Sequence, residues 1–278
     1  MVEIGKYNKL RVIKELEFGI YLDGGNDLEI LLPRRYVPEN IKPDDELEVF
    51  IYTDSEDRLI ATTENPYATV GEFALLTVVA VEQVGAFLDW GLMKDLLVPY
   101  REQKATMQVG NSYVVYVYLD EKTNRVVASG KVDKFLNIIP ANYEVGQEVN
   151  LMIFDKTDLG YNAIIEQAHW GLIYKNELFQ PLERGQRIKG FIKKIYVDGK
   201  IDLTIYQQGY KRVSSVAQDI LGYLNAAGGF IAVNDKTPPE DIHDLFQISK
   251  KSFKMAIGAL YKEKLIEITD EGIKLASK

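Results

Sequence analysis

The chain has 278 residues, 46% of them hydrophobic and 27% charged, with no cysteine and a formal net charge of −8. That length suits two to four small domains, and the composition is that of a folded globular protein, which excludes a coiled coil or a wholly disordered chain. Without cysteine there is no disulfide, thiolate catalysis or cysteine-held zinc, and His169 and His243 alone leave little for a metal centre.

No apolar run approaches the roughly 20 residues a bilayer crossing needs, and the opening MVEIGKYNKLRV lacks the apolar core of a signal peptide. The expectation is a cytoplasmic protein with no membrane contact. Its acidic balance repels a polyanion at long range, yet a local groove with stacking rings can still bind one, with modest, salt-sensitive affinity.

A threefold repeat organises most of the chain. Ile4-Gly5, Val70-Gly71 and Val145-Gly146 open segments that keep one register: fourteen residues on lie Gly19, Gly85 and Gly160, and fourteen further Pro33, Pro99 and Tyr174. Eleven more bring Asp44, Gly110 and Gly185. Short β-rich runs such as LEVFIYT, SYVVYVYL and RIKGFIKKIYV lie between turn formers such as Asp23-Gly24-Gly25 and Asp198-Gly199. Arg58, Arg125 and Lys200 recur at the start of each last strand, where edge protection and ligand contact explain them equally well. Five short strands per copy predict a small barrel, with the glycines at 19, 85 and 160 in a sharply bent strand.

Apolar-Gly, then EFGIYLD or QVGAFLDW, then an apolar pair closing strand three, resembles the S1 RNA-binding domain of the OB-fold class over about residues 2–206. S1 domains often carry an aromatic pair on strand two. Here the first copy has Phe18 and Tyr21, the second Val84 and Phe87, the third Leu159 and Asn162 with Tyr161 beside them. The histidine that often follows strand three is replaced by Pro33, Pro99 and Tyr174.

From about Val213 the period becomes helical. Val216, Ile220 and Leu224 share a face behind a cap at Ser214 or Ser215, and TPPEDIHDLF opens a second helix on a proline. Ser249 caps a third, with Phe253, Ile257 and Leu260 as its buried stripe, and LIEITDEGIKL reads as two strands around a turn. This order predicts a winged helix, whose third helix carries Lys250, Lys251, Lys254 and Lys262. The fold expected is therefore mainly β with a C-terminal α+β unit. It comprises three tandem five-stranded S1-like barrels at 1–66, 67–140 and 141–207 (the third divergent) and a winged helix-turn-helix at 213–278.

That arrangement, with IAVNDKTPPEDI and SKKSFKMAIGALYKEKLI, is similar to the bacterial conserved virulence factor B family. The resemblance implies an RNA-binding regulator of gene expression, including virulence genes.

A reader of single strands needs exposed rings beside cations, each stacked base contributing roughly 1–3 kcal/mol. Candidates are Phe18, Tyr21, Arg34 and Arg35 in the first barrel, Phe87, Tyr100 and Arg101 in the second, and Tyr161, Tyr174 and Lys175 in the third. Phe18 and Tyr21, three apart, face opposite ways unless Gly19 marks a bulge. Trp90 and Trp170 read as packing anchors, and Tyr206 and Tyr210 as docking residues of the linker. The expected partner is single-stranded RNA, with DNA open through the winged helix; no cofactor, metal or catalysis is expected, and one chain suffices as a monomer. Two other readings stay open: an adaptor docking on ribosome or RNA polymerase, and a magnesium nuclease built on Asp155, Asp158, Asp198 and Asp202. The signatures of NTPases, zincins and serine hydrolases are absent.

Overall fold

A computed structural model describes residues 2–175, 178, 181–205 and 215–276. The first repeat folds as β1 (Tyr7–Leu16), β2 (Gly19–Asp23), β3 (Glu29–Pro33), β4 (Glu46–Thr53) and β5 (Leu59–Thr62), closed into a barrel in the order β1-β2-β3-β5-β4. The second gives β6 (Phe73–Glu82), β7 (Gly85–Asp89), β8 (Leu96–Pro99), β9 (Ser112–Asp120) and β10 (Arg125–Ser129). The third gives β11 (Glu148–Lys156), β12 (Gly160–Ile165), β13 (His169–Tyr174), β14 (Arg187–Ile195) and β15 (Ile201–Thr204), again a closed barrel. The second departs from the expected closure: its sheet runs β10-β9-β6-β7-β8, and the end strands lie side by side without a ladder between them.

The repeat register has a structural cause. Gly19 pairs with Pro33, Gly85 with Pro99 and Gly160 with Tyr174, so two of the sequence anchors are cross-strand partners. A Cβ on these glycines would stand 2.3 Å from the Leu32 carbonyl oxygen, 2.2 Å from that of Val98 and 1.9 Å from that of Ile173. No bulge falls at Gly19. The extra residue sits in the facing strand, between Val12 and Lys14, Val78 and Ala80, and Ile153 and Asp155.

The barrels share core. Phe50 and Tyr52 of β4 are buried against Trp90, ring centroids 5.7 and 6.3 Å away, and burial pushes the Tyr52 hydroxyl up to about 12. Lys94 donates to the carbonyls of Thr53 at 2.9 Å and Asp54 at 2.6 Å, and Arg125 grips the Asp57 carboxylate through two nitrogens. Phe73, Val114 and Val132 pack with Met152 and Ile164 of the third barrel. The Phe73 backbone is held there from both sides, its N–H donating to Gln167 at 2.8 Å and its carbonyl accepting from Arg187 at 3.0 Å. Trp90 and Trp170 thus both stand at junctions between barrels.

The C-terminal unit has α1 (Ser215–Ala226), β16 (Phe230–Ile231), α2 (Pro239–Phe246), α3 (Lys250–Lys262), β17 (Ile266–Ile268) and β18 (Ile273–Leu275). Ile220, Leu224, Phe253, Ile257 and Leu260 form its core, and the Ser249 hydroxyl accepts from the Ser252 N–H at 3.1 Å. The predicted hairpin gains a third strand, because β16 pairs with β18. Ser214, Tyr206 and Tyr210 lie outside the described residues.

Gly85→Ala should lower stability in urea titration by about 1–3 kcal/mol, the usual cost of overpacking. Gly222→Ala, in open space on α1, should raise it by about 0.8–1 kcal/mol through helix propensity. The Asp57 latch has a pH signature. Its carboxyl is held below the ordinary range by the Arg125 hydrogen bonds, so its contribution is present above the unfolded value and lost as pH falls through the depressed one. Asp57→Asn keeps a side chain that tolerates the left-handed backbone there (φ 63°). It should lower the urea midpoint at neutral pH, and the gap should close as pH drops below about 4.

Candidate nucleic-acid interface

Cross-strand pairing puts side chains in rows, and one row on each barrel points away from that barrel's own core, although Tyr52, Val127 and Asp202 at its far end are covered by other parts of the chain. On the first barrel it runs Lys14, Tyr21, Leu31, Ile60, Tyr52, while Ile20, Leu22, Ile30 and Leu32 alternate inward as core. The second barrel has Ala80, Phe87 and Leu97 beside Val127 and Tyr118, and the third has Asp155, Asn162, Leu172, Asp202 and Lys194. The chemistry of this row changes from copy to copy even though its geometry does not.

In the first barrel Phe18 is 56% exposed and meets Tyr21 edge-on at 6.2 Å, with the Lys14 ammonium 4.9 Å from the Tyr21 ring centre. Val84 and Leu159 occupy the same turn in the other copies, 56% and 62% exposed. The double arginine behaves otherwise than expected. Arg34 pairs with Glu15 at 2.7 Å and donates to the Leu16 carbonyl at 3.0 Å, bracketing the β1–β2 turn. Arg35 lies over the Tyr36 ring at 4.6 Å and donates to the Met93 sulfur at 2.8 Å, so it works at the junction with the second barrel.

In the second barrel Phe87 is half-buried in the row, Tyr100 is exposed with its hydroxyl donating to the Glu82 carbonyl at 2.8 Å, and Arg101 lies 3.6 Å from Asp120. Tyr118, half-buried and 5.6 Å from the Phe135 ring, extends this aromatic surface. Burial, reinforced by the Glu102 and Asp120 charges, raises its hydroxyl above the ordinary value. Sequence reading passed over Tyr118, although the alternation in SYVVYVYL, with Val115 and Val117 in the core, marks it as outward.

The third barrel brings a correction. Tyr161 is 5% exposed and packs in the core with Ile153 and Ile173. Because Gly160 pairs with Tyr174, position 161 corresponds to Ile20 and Ala86, and the outward residue is Asn162. Tyr174 is half-buried with the Lys193 ammonium 5.8 Å from its ring centre, and the Asp202 charge raises its hydroxyl. Lys175 is exposed. Lys194 covers Tyr196 at 4.1 Å, and the Tyr196 hydroxyl donates to Asp202 at 2.9 Å. The string Lys193-Lys194-Ile195-Tyr196 carried that signal unread.

On the winged helix, Lys251, Lys254, Met255, Tyr261 and Lys262 form the solvent face of α3, Met255 being 69% exposed and Tyr261 57%. Lys254 lies 3.7 Å from Asp235, and Lys250 donates to the Lys236 carbonyl at 3.3 Å. Among the described residues no group of three histidine, cysteine or carboxylate side chains could hold a metal ion. His169 is buried between the Tyr143 hydroxyl and the Ile139 carbonyl, each at 2.8 Å.

Charge is unevenly spread. Residues 2–66 carry fifteen Asp and Glu against eight Lys and Arg, residues 67–140 eight against seven, and residues 141–278 eighteen of each. Nearly the whole net charge thus belongs to the first barrel, which weakens the case for reading it as the main anion contact.

A family model described as the S1 domain matches residues 4–64 and 70–130, and one described as the CvfB-like winged helix domain matches residues 218–275. Conserved virulence factor B of Staphylococcus saprophyticus is 25% identical over 99% of this chain and 95% of its own length. The chain belongs to the conserved virulence factor B family. Conserved virulence factor B of Staphylococcus haemolyticus is 24% identical over 99% of this chain and 95% of its own. The uncharacterized protein YitL of Bacillus subtilis is 28% identical over 93% of this chain and 89% of its own. A crystal structure of a multidomain protein with nucleic acid binding domains from Streptococcus pneumoniae covers 98% of both chains at 24% identity, with a TM-score of 0.45. Two S1 domains and a winged helix mark this family member as a nucleic-acid-binding protein. No helix among the described residues is long and apolar enough to cross a membrane.

The Tyr161 correction is open to measurement. Tyr161→Ala should cost about 3–5 kcal/mol in urea titration, as large buried rings do. Phe18→Ala should stay within about 0.5 kcal/mol of the parent, the range for surface changes.

Proposed function

We propose that this chain binds single-stranded RNA without catalysing a reaction and acts as a regulator of bacterial gene expression, at the transcript or in transcription. The observation that carries the reading is the half-exposed aromatic surface of the second barrel, Phe87 and Tyr118 with Tyr100 and Arg101 beside them. It lies on the strand-two side, where OB-type barrels take their ligands. The third barrel adds Tyr174, Lys175, Lys193 and Lys194, and α3 adds Lys251 and Lys262 as phosphate contacts or a grip on DNA. Several weak sites on one chain raise affinity through effective concentration, and stacking makes sequence preference slight.

A second reading has its own support. The first barrel offers exposed Phe18 on a body of net charge −7, which favours docking on a protein partner such as a ribosomal or RNA polymerase subunit over contact with a polyanion.

The test is fluorescence anisotropy with labelled single-stranded RNA across a salt series. Affinity should fall with salt at a logarithmic slope of about −0.7 per phosphate contacted. Phe87→Ala with Tyr118→Ala should weaken binding by about 30-fold or more, two stacks at roughly 1–3 kcal/mol each, with little change in slope. Lys251→Glu with Lys262→Glu should flatten the slope. Retention of no RNA even at low salt would overturn the proposal in favour of the adaptor.

A further inference from the structure

A cleft of about 300 Å³ opens between the second and third barrels. Met107 and Tyr113 line it from one side, and Phe154, Asp155 and Arg184 from the other, with Lys104 at its margin. Three kinds of surface meet there. Met107 is buried and the rings of Tyr113 and Phe154 are half-buried, which makes apolar walls. Asp155 supplies a carboxylate whose Oδ1 is shut off from solvent and meets no donor among the described residues. Lys104 and Arg184 are exposed cations, the first 3.3 Å from Asp133, the second fixed by its Nε donating to the Phe154 carbonyl at 3.1 Å.

Asp155 follows the β11 bulge and pairs with Asn162, which puts it at the end of the outward row of the third barrel. The matched positions in the other barrels are Lys14 and Ala80, so the acid is peculiar to this copy. An ionised carboxylate only accepts hydrogen bonds; Oδ1 is out of a ligand's reach as the side chain stands, and a rotation about Cβ–Cγ that turns it to the cleft lets a delivered donor relieve the cost of the unmet acceptor. The cleft volume is at the lower end of small-molecule sites, about 300–1,000 Å³. A ligand matching all three surfaces is flat, carries N–H donors on one edge and bears a negative group.

We propose that this cleft is a nucleotide site that accepts a base bearing an exocyclic amine and turns away uracil. Asp155 accepts from the amine of cytosine, adenine or guanine, whereas uracil offers the carboxylate only an N3–H flanked by two carbonyl oxygens that repel it, a weaker pairing. Met107, Tyr113 and Phe154 cover the ring, and Lys104 and Arg184 meet the phosphate. The base comes either from an RNA strand, in which case the site rests on the function proposed above, or from a free nucleotide.

Calorimetric titration of the full chain with CMP, AMP and UMP tests the site. CMP and AMP should bind about tenfold more tightly than UMP, one good hydrogen-bonded pairing. Asp155→Asn, whose amide can donate as well as accept, should bring the three within about twofold. Arg184→Glu should weaken all three together while leaving the CMP-to-UMP ratio in place. Equal affinities for CMP and UMP in the parent chain, or a preference that survives Asp155→Asn, would overturn the proposal. A second arm uses oligo(C) and oligo(U) RNA. A preference for oligo(C) that Asp155→Asn erases identifies the strand as the source. If no RNA is retained but CMP still beats UMP, the RNA reading falls and a free-nucleotide site stands. RNA binding unchanged by Asp155→Asn, with CMP and UMP equal, removes the site and leaves the RNA reading intact.

Discussion

In each barrel the second strand passes so close to the third that an α-carbon lies against a neighbouring carbonyl oxygen, and only a residue without Cβ can stand there. Because side chains alternate along a strand, fixing that residue fixes the face of every residue after it. Ile20, Ala86 and Tyr161 must point inward, and Tyr21, Phe87 and Asn162 outward. The bulge in the opposite strand then sets Lys14, Ala80 or Asp155 beside the outward residue. One steric contact, used three times, therefore decides which side chains are offered to a ligand, and sequence divergence acts only on their identity.

The same chain economy appears between the barrels. Phe50 and Tyr52 belong to the first repeat but are buried on Trp90 of the second, and Phe73 of the second is buried with Met152 and Ile164 of the third. A 60-residue barrel has little core of its own, so shared aromatics at the junctions supply what each lacks. The three barrels accordingly form a fused body, in contrast to modules joined by free linkers.

Much of this was legible in the sequence, and the misses have two causes. Glycine spacing gave the repeat, and helical periodicity gave Ile220, Leu224, Phe253, Ile257 and Leu260 as core. Local pattern also contained the fate of Tyr161, since counting from Gly160 as from Gly19 puts it inside, where an aromatic ring serves as core. What local pattern could not contain was long-range company. Arg34 and Arg35 look free in sequence, yet Glu15, the turn carbonyls and Met93 claim them. The two-residue strand β16 has no periodicity to detect and exists because β18 offers it an edge.

The uneven charge has a mechanical consequence. With fifteen acids in residues 2–66 and a balanced remainder, the molecule is electrically lopsided. In the field of any polyanion it feels a torque as well as a force, turning the N-terminal body outward before contact is made. Encounter is thereby biased in angle and not only in rate, and the latch of Lys94, Arg125 and Asp57 makes the turn a rigid one by tying the lever arm to the body it rotates.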